Sequence, residues 1–293
     1  MAGGPNLDEY WAFARVRQQL MLTGETDDPI LAKYRFTNCY RWCDRVSQYM
    51  LTDVVRGREL DEECLWNLIL FKTFNRISTW EHLLRQGLVG CRNLKTLGDS
   101  LAGRVCFAPA YRMCIGRTTY GYKDKMRNWL CAARSVVACH DDLAAAGTVR
   151  ELYDTLVQLP MFGRFLSQQI ATDIRYVTGV PEDGFIMVGP GSRRGIHTAF
   201  DDLRDKHVDL SRNDEMYSER IREVHSRQDF EPFMGQPLSL MDVQNIFCEF
   251  DKYTRIRWPE VQLWAKEKKR PKQNYTPSLR GRMKEWVLPI NKS

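Results

Sequence analysis

Residues 61–88, DEECLWNLILFKTFNRISTWEHLLRQGL, set the fold class. Leu65, Leu68, Phe71, Phe74 and Ile77 recur at three-residue intervals behind the acidic start Asp61, Glu62 and Glu63, the pattern of a helix with an apolar stripe and a negatively charged first turn. The same reading holds for NLKTLGDSLAGR (93–104), TVRELYDTLVQLP (148–160), FGRFLSQQIATDIRYV (162–177) and LSLMDVQNIFCEFDKYTRI (238–256). In the last of these, Ser239 precedes Asp242 by three residues, a capping arrangement. Alternating strand-like segments are scarce, and FIMV (185–188) is the one short apolar run bounded by turn residues. The expectation is an all-α or nearly all-α protein: an N-terminal extension (1–29), one helical domain (30–265) and a basic C-terminal tail (266–293).

Composition narrows the class. The chain has 293 residues, enough for a sizeable core in one large domain or two small ones. No apolar run approaches the roughly 18 residues of a membrane span, and the N-terminus lacks a basic start followed by an apolar stretch, which argues against membrane insertion and secretion. The nine cysteines are scattered without a CxxC pair, and the five histidines do not join them. No metal site is therefore expected, a divalent ion on a phosphate being the alternative, and the thiols are read as reduced. Net charge is +6, and the tail carries much of it: between Lys266 and Glu285 stand eight basic and two acidic residues, with Lys268, Lys269 and Arg270 consecutive. A solvated tail and an arm lying along nucleic-acid phosphates both fit that run.

Two glycine stretches invite a phosphate reading. In VGPGSRRG (188–195), neither the P-loop spacing GxxxxGK[ST] nor the dinucleotide spacing GxGxxG is met, since Gly189, Gly191 and Gly195 give GxGxxxG. In LPMFGRFLSQQ (159–169), Leu159, Pro160, Gly163 and Ser167 match the hairpin of helix-hairpin-helix DNA-binding proteins. There, a glycine turn offers backbone N–H groups at a helix start to a DNA phosphate, which makes Gly163 and Arg164 candidate DNA contacts. An ordinary helix–turn–helix corner is the competing reading. Helix-hairpin-helix glycosylases place a catalytic aspartate beyond that hairpin, where Gly189 stands here, and the hairpin lysine some of them use falls near Phe165. The scaffold distantly resembles those glycosylases while their chemistry is missing.

Six segments in order carry a closer resemblance: KYRFTNCYRWCDRVSQYM (33–50), LFKTFNRISTWEHL (70–83), CFAPAYRMC (106–114), the hairpin segment, VGPGSRRGI (188–196) and VQNIFCEFDKY (243–253). Together they resemble the bacteriophage thymidine-hypermodification proteins, named alpha-glutamyl/putrescinyl-thymine pyrophosphorylases and better described as amino acid:DNA transferases. The same segments are similar to the helical module of phage 5-hydroxymethyldeoxyuridine DNA kinases. A kinase proper would need a P-loop, so the resemblance implies the transferase branch. The implied reaction joins an amine to a phosphorylated 5-hydroxymethyluracil in double-stranded phage DNA, displacing phosphate, with free glycine as the expected amine, no cofactor and the host cytoplasm as the setting. Two other classes remain open, a non-catalytic hairpin DNA-binding module and a divergent glycosylase using Asp183 or Asp201.

That chemistry sets the candidate residues. Arg193 and Arg194, at a helix start after the glycine turn, are read as donors to the departing phosphate, with a surface arginine pair as the alternative. Asp44, Asp173 and Glu249 are read as candidate bases for the incoming ammonium, and each is equally read as a structural partner of a nearby cation. Arg41 and Lys252 suit the amino acid's carboxylate, and Asn38, Asn75 and Asn245 suit the uracil edge or the bracing of helices. Phe36, Tyr40, Phe74 and Trp80 are read as stacking residues for an extruded base or as core. Cys248 is weighed as a nucleophile on the pyrimidine ring, and its sequence neighbours Phe247 and Glu249 offer no reason for a thiolate.

Overall fold

A computed structural model describes residues 4–108, 117–204, 214–261 and 285–290. The helices used below are α1 (Leu7–Thr23), α2 (Glu62–Phe74), α3 (Lys125–Val137), α4 (Val149–Val157), α5 (Arg164–Thr178), α6 (Pro190–Ala199), α7 (Asp214–Ser226) and α8 (Leu240–Arg257). Among the described residues there is no β-strand, only isolated bridges such as that between Phe233 and Gln236, so the all-α expectation stands. The FIMV run forms no strand; it is an extended link whose Ile186, Met187 and Val188 are buried ahead of α6.

The chain folds into two compact units rather than the single 30–265 domain expected. The first contains residues 1–44 and 184–286, the second residues 45–183 and 287–293. The expected N-terminal extension is no appendage. Asn6 caps α1 through the Glu9 amide, and Tyr10, Trp11, Phe13 and Ala14 are buried in the first unit. Burial of those large rings is the physical reason the segment folds with the rest, since each aromatic removes an area far beyond that of an average side chain from water. The end of the tail also packs. Trp286 meets Trp42 and Phe233 in the first unit, while the Val287 backbone exchanges two hydrogen bonds with the Gln48 side chain in the second, at 2.9 and 3.0 Å. Lys268, Lys269 and Arg270 lie outside the described residues.

In the first unit α8 is the central element. It starts at the Ser239–Asp242 capping box that the sequence announces. Tyr10 stacks on Phe247 with ring centres 4.2 Å apart, and Phe13 packs on Tyr253 at 4.9 Å, which lays α1 along one side of α8. On another side α6 approaches closely. A Cβ placed on Gly195 would lie 2.0 Å from the Phe247 carbonyl oxygen, and one on Gly191 would lie 2.5 Å from Cys248 Sγ. Gly191 and Gly195 are four residues apart and therefore share one face of α6. The glycines of the 188–195 stretch thus serve helix–helix contact, a use that spacing tests for nucleotide loops do not probe. Gly189 is the N-cap, and Pro190 opens the helix, where its missing N–H costs nothing.

The second unit is organised on α2, whose residues from Cys64 to Phe74 are all buried. The three-residue apolar stripe read from the sequence therefore understates the burial, which also takes in Asn67, Lys72 and Thr73. Asn75 ends α2 in the left-handed conformation at φ 46°, and Ile77 begins a separate helix. The helices α4 and α5 are joined by the Leu159–Gly163 turn, with Met161 at φ 72° and Gly163 as the N-cap of α5.

Candidate functional site

The first unit brings together residues that are distant in sequence. Arg17 of α1 donates to the carbonyls of Phe36 (3.1 Å) and Thr37 (3.0 Å) and to Asn38 Oδ1. Asn38 in turn donates its side-chain amide to the Cys43 carbonyl at 2.7 Å and its backbone N–H to Asp44 Oδ1 at 3.0 Å. The Arg41 N–H reaches Asp242 Oδ1 at 2.6 Å, which pins the 38–44 loop to the first turn of α8. Further along α8, Glu249 Oε2 accepts from the Thr37 N–H at 3.4 Å and Glu249 Oε1 accepts from Lys252 Nζ at 2.5 Å. Asn38, Arg41, Asp44, Glu249 and Lys252, five of the residues singled out from sequence, meet here with Arg17 and Asp242.

Burial and neighbouring charges perturb two members of the cluster. Burial pushes the Asp44 carboxyl up to about 6, and the Glu249 charge adds to the push, while the Asn38 amide, Arg17 and Arg41 hold it back. Asp44 retains partial contact with solvent, so its proton can exchange. For Lys252, burial pulls the ammonium down, yet the Glu249 carboxylate and Cys248 sulfur outweigh it and raise the group above its ordinary value. Cys39, buried beside the same loop, is driven up to about 12 by desolvation, as expected of an inert core thiol.

The rest of α8 explains where the cluster opens. From Leu240 to Tyr253 the helix is buried except at Asn245, Cys248 and Lys252, which are partly exposed. Spacings of three and four residues put these side chains on one narrow face. Asn245 therefore lies on the open stripe beside the cluster.

The two arginines after the glycine turn are placed differently from the sequence reading. Arg193 is buried, with its Nε bonded to the Val188 carbonyl at 3.0 Å and its guanidinium 5.0 Å from the Tyr217 ring centre. Tyr217 in turn hydrogen-bonds His197 Nε2 at 2.8 Å. Arg193 is thus a brace between α6 and α7, because a buried guanidinium must satisfy its donors inside the protein. Arg194, partly exposed, pairs with Asp251 at 3.2 Å, and Arg255 holds the same carboxylate at 2.5 Å. Burial raises Asp251, and the two arginines oppose that rise. Neither arginine stands in bulk water.

The remaining candidates belong to the second unit or carry structural duties. Asp173 on α5 is fully buried and paired with Lys72 of α2 at 3.1 Å. The Asn75 backbone N–H caps α2 at the Phe71 carbonyl (2.7 Å), and its Oδ1 is buried without a hydrogen-bond partner. Gly163 is exposed, has open space where a Cβ would stand, and begins α5 without a side-chain cap; Arg164 beside it is exposed. Phe36, Tyr40, Phe74 and Trp80 are core residues. Asp183 sits in a turn at φ 52°, and Asp201 pairs with Arg204 at 2.6 Å. Sequence reasoning missed Arg17, whose segment was read as an extension, and Asp242 as a partner of Arg41. It also missed Lys252 as a neighbour of Cys248, although their four-residue spacing on a helix was legible. Among the described residues, no group of His, Cys, Asp and Glu could hold a metal ion, and no helix is long and apolar enough to cross a membrane.

Fold and site together define an all-α protein of two units, one bearing a half-open cluster of carboxylates and cations, the other a helical hairpin. The chain belongs to the family described as "5-hmdU DNA kinase, helical domain", whose sequence profile matches residues 5–263. It is 23% identical over 279 residues to the 5-hmdU DNA kinase of Bacillus phage SP10, across 85% of this chain and 43% of that protein. The chain therefore spans less than half the length of the relative it matches. No solved structure matches it.

Proposed function

We propose that this chain acts in thymidine hypermodification of phage DNA. In this reading it transfers an amine, with glycine as the substrate of choice, onto 5-phosphomethyl-deoxyuridine and releases phosphate. The observation that carries the reading is the convergence of Asn38, Arg41, Asp44, Glu249 and Lys252 in one partly open cluster of the first unit. The relative's name adds that a protein with this domain acts on 5-hmdU DNA.

Each group has a task in that reaction. An α-ammonium attacks only after losing a proton, and a carboxyl raised to about 6 is a base poised for it near neutral pH, which assigns the role to Asp44. Lys252, partly exposed and fixed by Glu249, neutralises the amino acid's carboxylate, while the buried Arg41 supports the 38–44 loop from within. Arg194, held by Asp251 beside the open stripe of α8, receives the departing phosphate, while Arg193 supports α6 from beneath. Asn245 offers its amide to the base, while Asn38, engaged by Arg17 and the Cys43 carbonyl, holds the loop that carries Asp44. On the second unit, Gly163 and the first-turn N–H groups of α5 bind a DNA phosphate, with Arg164 beside them and the 268–270 basic run adding charge. The setting proposed is the cytoplasm of the infected host.

The test is direct. Duplex DNA containing 5-phosphomethyl-deoxyuridine is incubated with the protein and glycine, then digested to nucleosides for mass analysis. Loss of phosphate with gain of glycine is expected, and D44N slows it at least tenfold. Unchanged nucleosides across the common amino acids and polyamines refute the reading. Abasic sites would instead support the glycosylase alternative.

A further inference from the structure

We propose that Met234 is a wedge that enters the base stack of duplex DNA and fills the place of an extruded nucleotide. The proposal rests on the reading above, that the chain acts on a base in duplex DNA, and deepens it by naming the residue that makes that base accessible.

The backbone singles this residue out. Met234 stands at φ 51°, in the left-handed region that residues other than Gly, Asn and Asp seldom adopt. With Gly235 at φ 76° it forms the two-residue turn between Phe233 and Gln236, whose backbones exchange two hydrogen bonds of 3.0 Å. Positive φ at both central residues is the type I′ pattern, for which Asn-Gly is a favoured pair and Met-Gly is not. Of the other non-glycine residues in this conformation, Asn75 and Asp183 are of the tolerant kind, and Met161 is partly buried in the turn before α5. Met234 is 47% exposed, so burial does not offset its strain. A lone exposed apolar side chain is ordinary on a protein surface, but one held there at a conformational cost points to a use.

The surroundings hold that tip rigid and place it beside the cluster. Pro232 and Pro237 flank the turn and restrict the chain on both sides. The Tyr40 hydroxyl accepts from the Phe233 N–H and donates to the Gln236 carbonyl, both at 3.0 Å. The Phe233 ring stacks on Trp42 with centres 5.6 Å apart, and Trp286 meets it edge-on at 5.9 Å. Tyr40 and Trp42 belong to the 38–44 loop, so the tip is anchored on the segment that carries Asp44. Trp286 follows directly on the basic run from Lys266 to Glu285, so a stretch of net positive charge is joined in sequence to a residue at the foot of the turn. DNA phosphates on either side of a base step are the complement of that charge. Methionine is among the apolar side chains that proteins push between base steps, and its flexible thioether adapts to the faces of the bases. Taking a nucleotide out of the stack costs pairing and stacking, and an apolar filler at the gap offsets part of that cost.

The test uses the full chain and a duplex carrying 2-aminopurine next to 5-phosphomethyl-deoxyuridine, because 2-aminopurine brightens when its neighbour leaves the stack. Wild type and M234L are expected to raise the fluorescence at saturating protein, and M234N and M234G to cut that rise about fivefold or more. Both of the latter relax the turn, so at least one is expected to melt at or above the wild-type temperature, which separates loss of function from loss of fold. Both melting below wild type overturns the strain from which the inference starts. Glycine transfer forms a second arm. M234N is expected to be slowed about tenfold on the duplex, yet to stay within about twofold of wild type on the same strand unpaired, where no stack has to be opened. A fluorescence rise in M234N equal to that of wild type, or no rise in wild type, overturns the wedge. Transfer by M234N at the wild-type rate on duplex overturns the wedge and leaves the transferase reading intact. If wild type opens the duplex but transfers no amine, the transferase reading fails and the wedge stands.

Discussion

Replacing Gly195 by alanine tests the packing on which the first unit depends. The new Cβ would lie 2.0 Å from the Phe247 carbonyl oxygen, 2.7 Å from the Phe247 carbonyl carbon and 3.2 Å from its Cα. Ordinary non-bonded contact needs about 3.5 Å, so α6 would have to retreat from α8 by roughly 1.5 Å. All three obstructing atoms are backbone, so no rotamer change relieves the clash and a whole helix must move. Alanine is a better helix former than glycine by about 1 kcal/mol, which works in the opposite direction. Overpacking a tight interface costs about 1–3 kcal/mol when side chains can adjust, and more when they cannot. The net expectation is a loss of at least about 2 kcal/mol. Urea unfolding of G195A followed by far-UV circular dichroism would show a lower midpoint with an unchanged slope. A variant as stable as wild type would refute the reasoning, because helix propensity alone would then decide the outcome. Gly191→Ala provides the comparison: its clash is with a cysteine side chain at 2.5 Å, so it should disturb Cys248 more than it disturbs stability.

Two further outcomes follow from buried charge. The Asp44 carboxyl is held near 6 in the folded protein, above its value in the unfolded chain, because burial penalises its charge. The folded state therefore binds the proton more tightly, a contribution present in full below pH ~4 and lost as pH rises through ~6. At about 1.4 kcal/mol per pH unit, and discounted for the partial access of Asp44 to water, the stability of wild type relative to D44N should fall by about 2 kcal/mol from pH 4 to pH 7. Urea melts at both pH values measure it, and a difference independent of pH would exclude the carboxyl as the group responsible. In the second unit, K72M should cost about 3–5 kcal/mol by leaving the Asp173 carboxylate buried without its cation, whereas K72M/D173L should recover much of the loss. Simple additivity of the two substitutions in chemical denaturation would show that the pair does not act as a unit.

The sequence by itself determined the helical class, the principal helices and several of their ends. Ser239 with Asp242 encodes a capping box, and the Leu159–Gly163 turn between α4 and α5 is written in proline and glycine. These are local matters: helical periodicity, caps and turns depend on residues within a few positions of one another. Tertiary structure alone decided that residues 7–23 are core, that Gly191 and Gly195 are contact surfaces rather than a phosphate cradle, and that Arg193 is a brace. It also decided the site. Arg17, Asn38, Asp44 and Glu249 lie up to more than two hundred residues apart, as in the 212-residue separation between Thr37 and Glu249, and no local pattern brings them together. Desolvation gives Asp44 its raised proton affinity, which depends on what packs around the carboxyl, and a linear sequence does not state that.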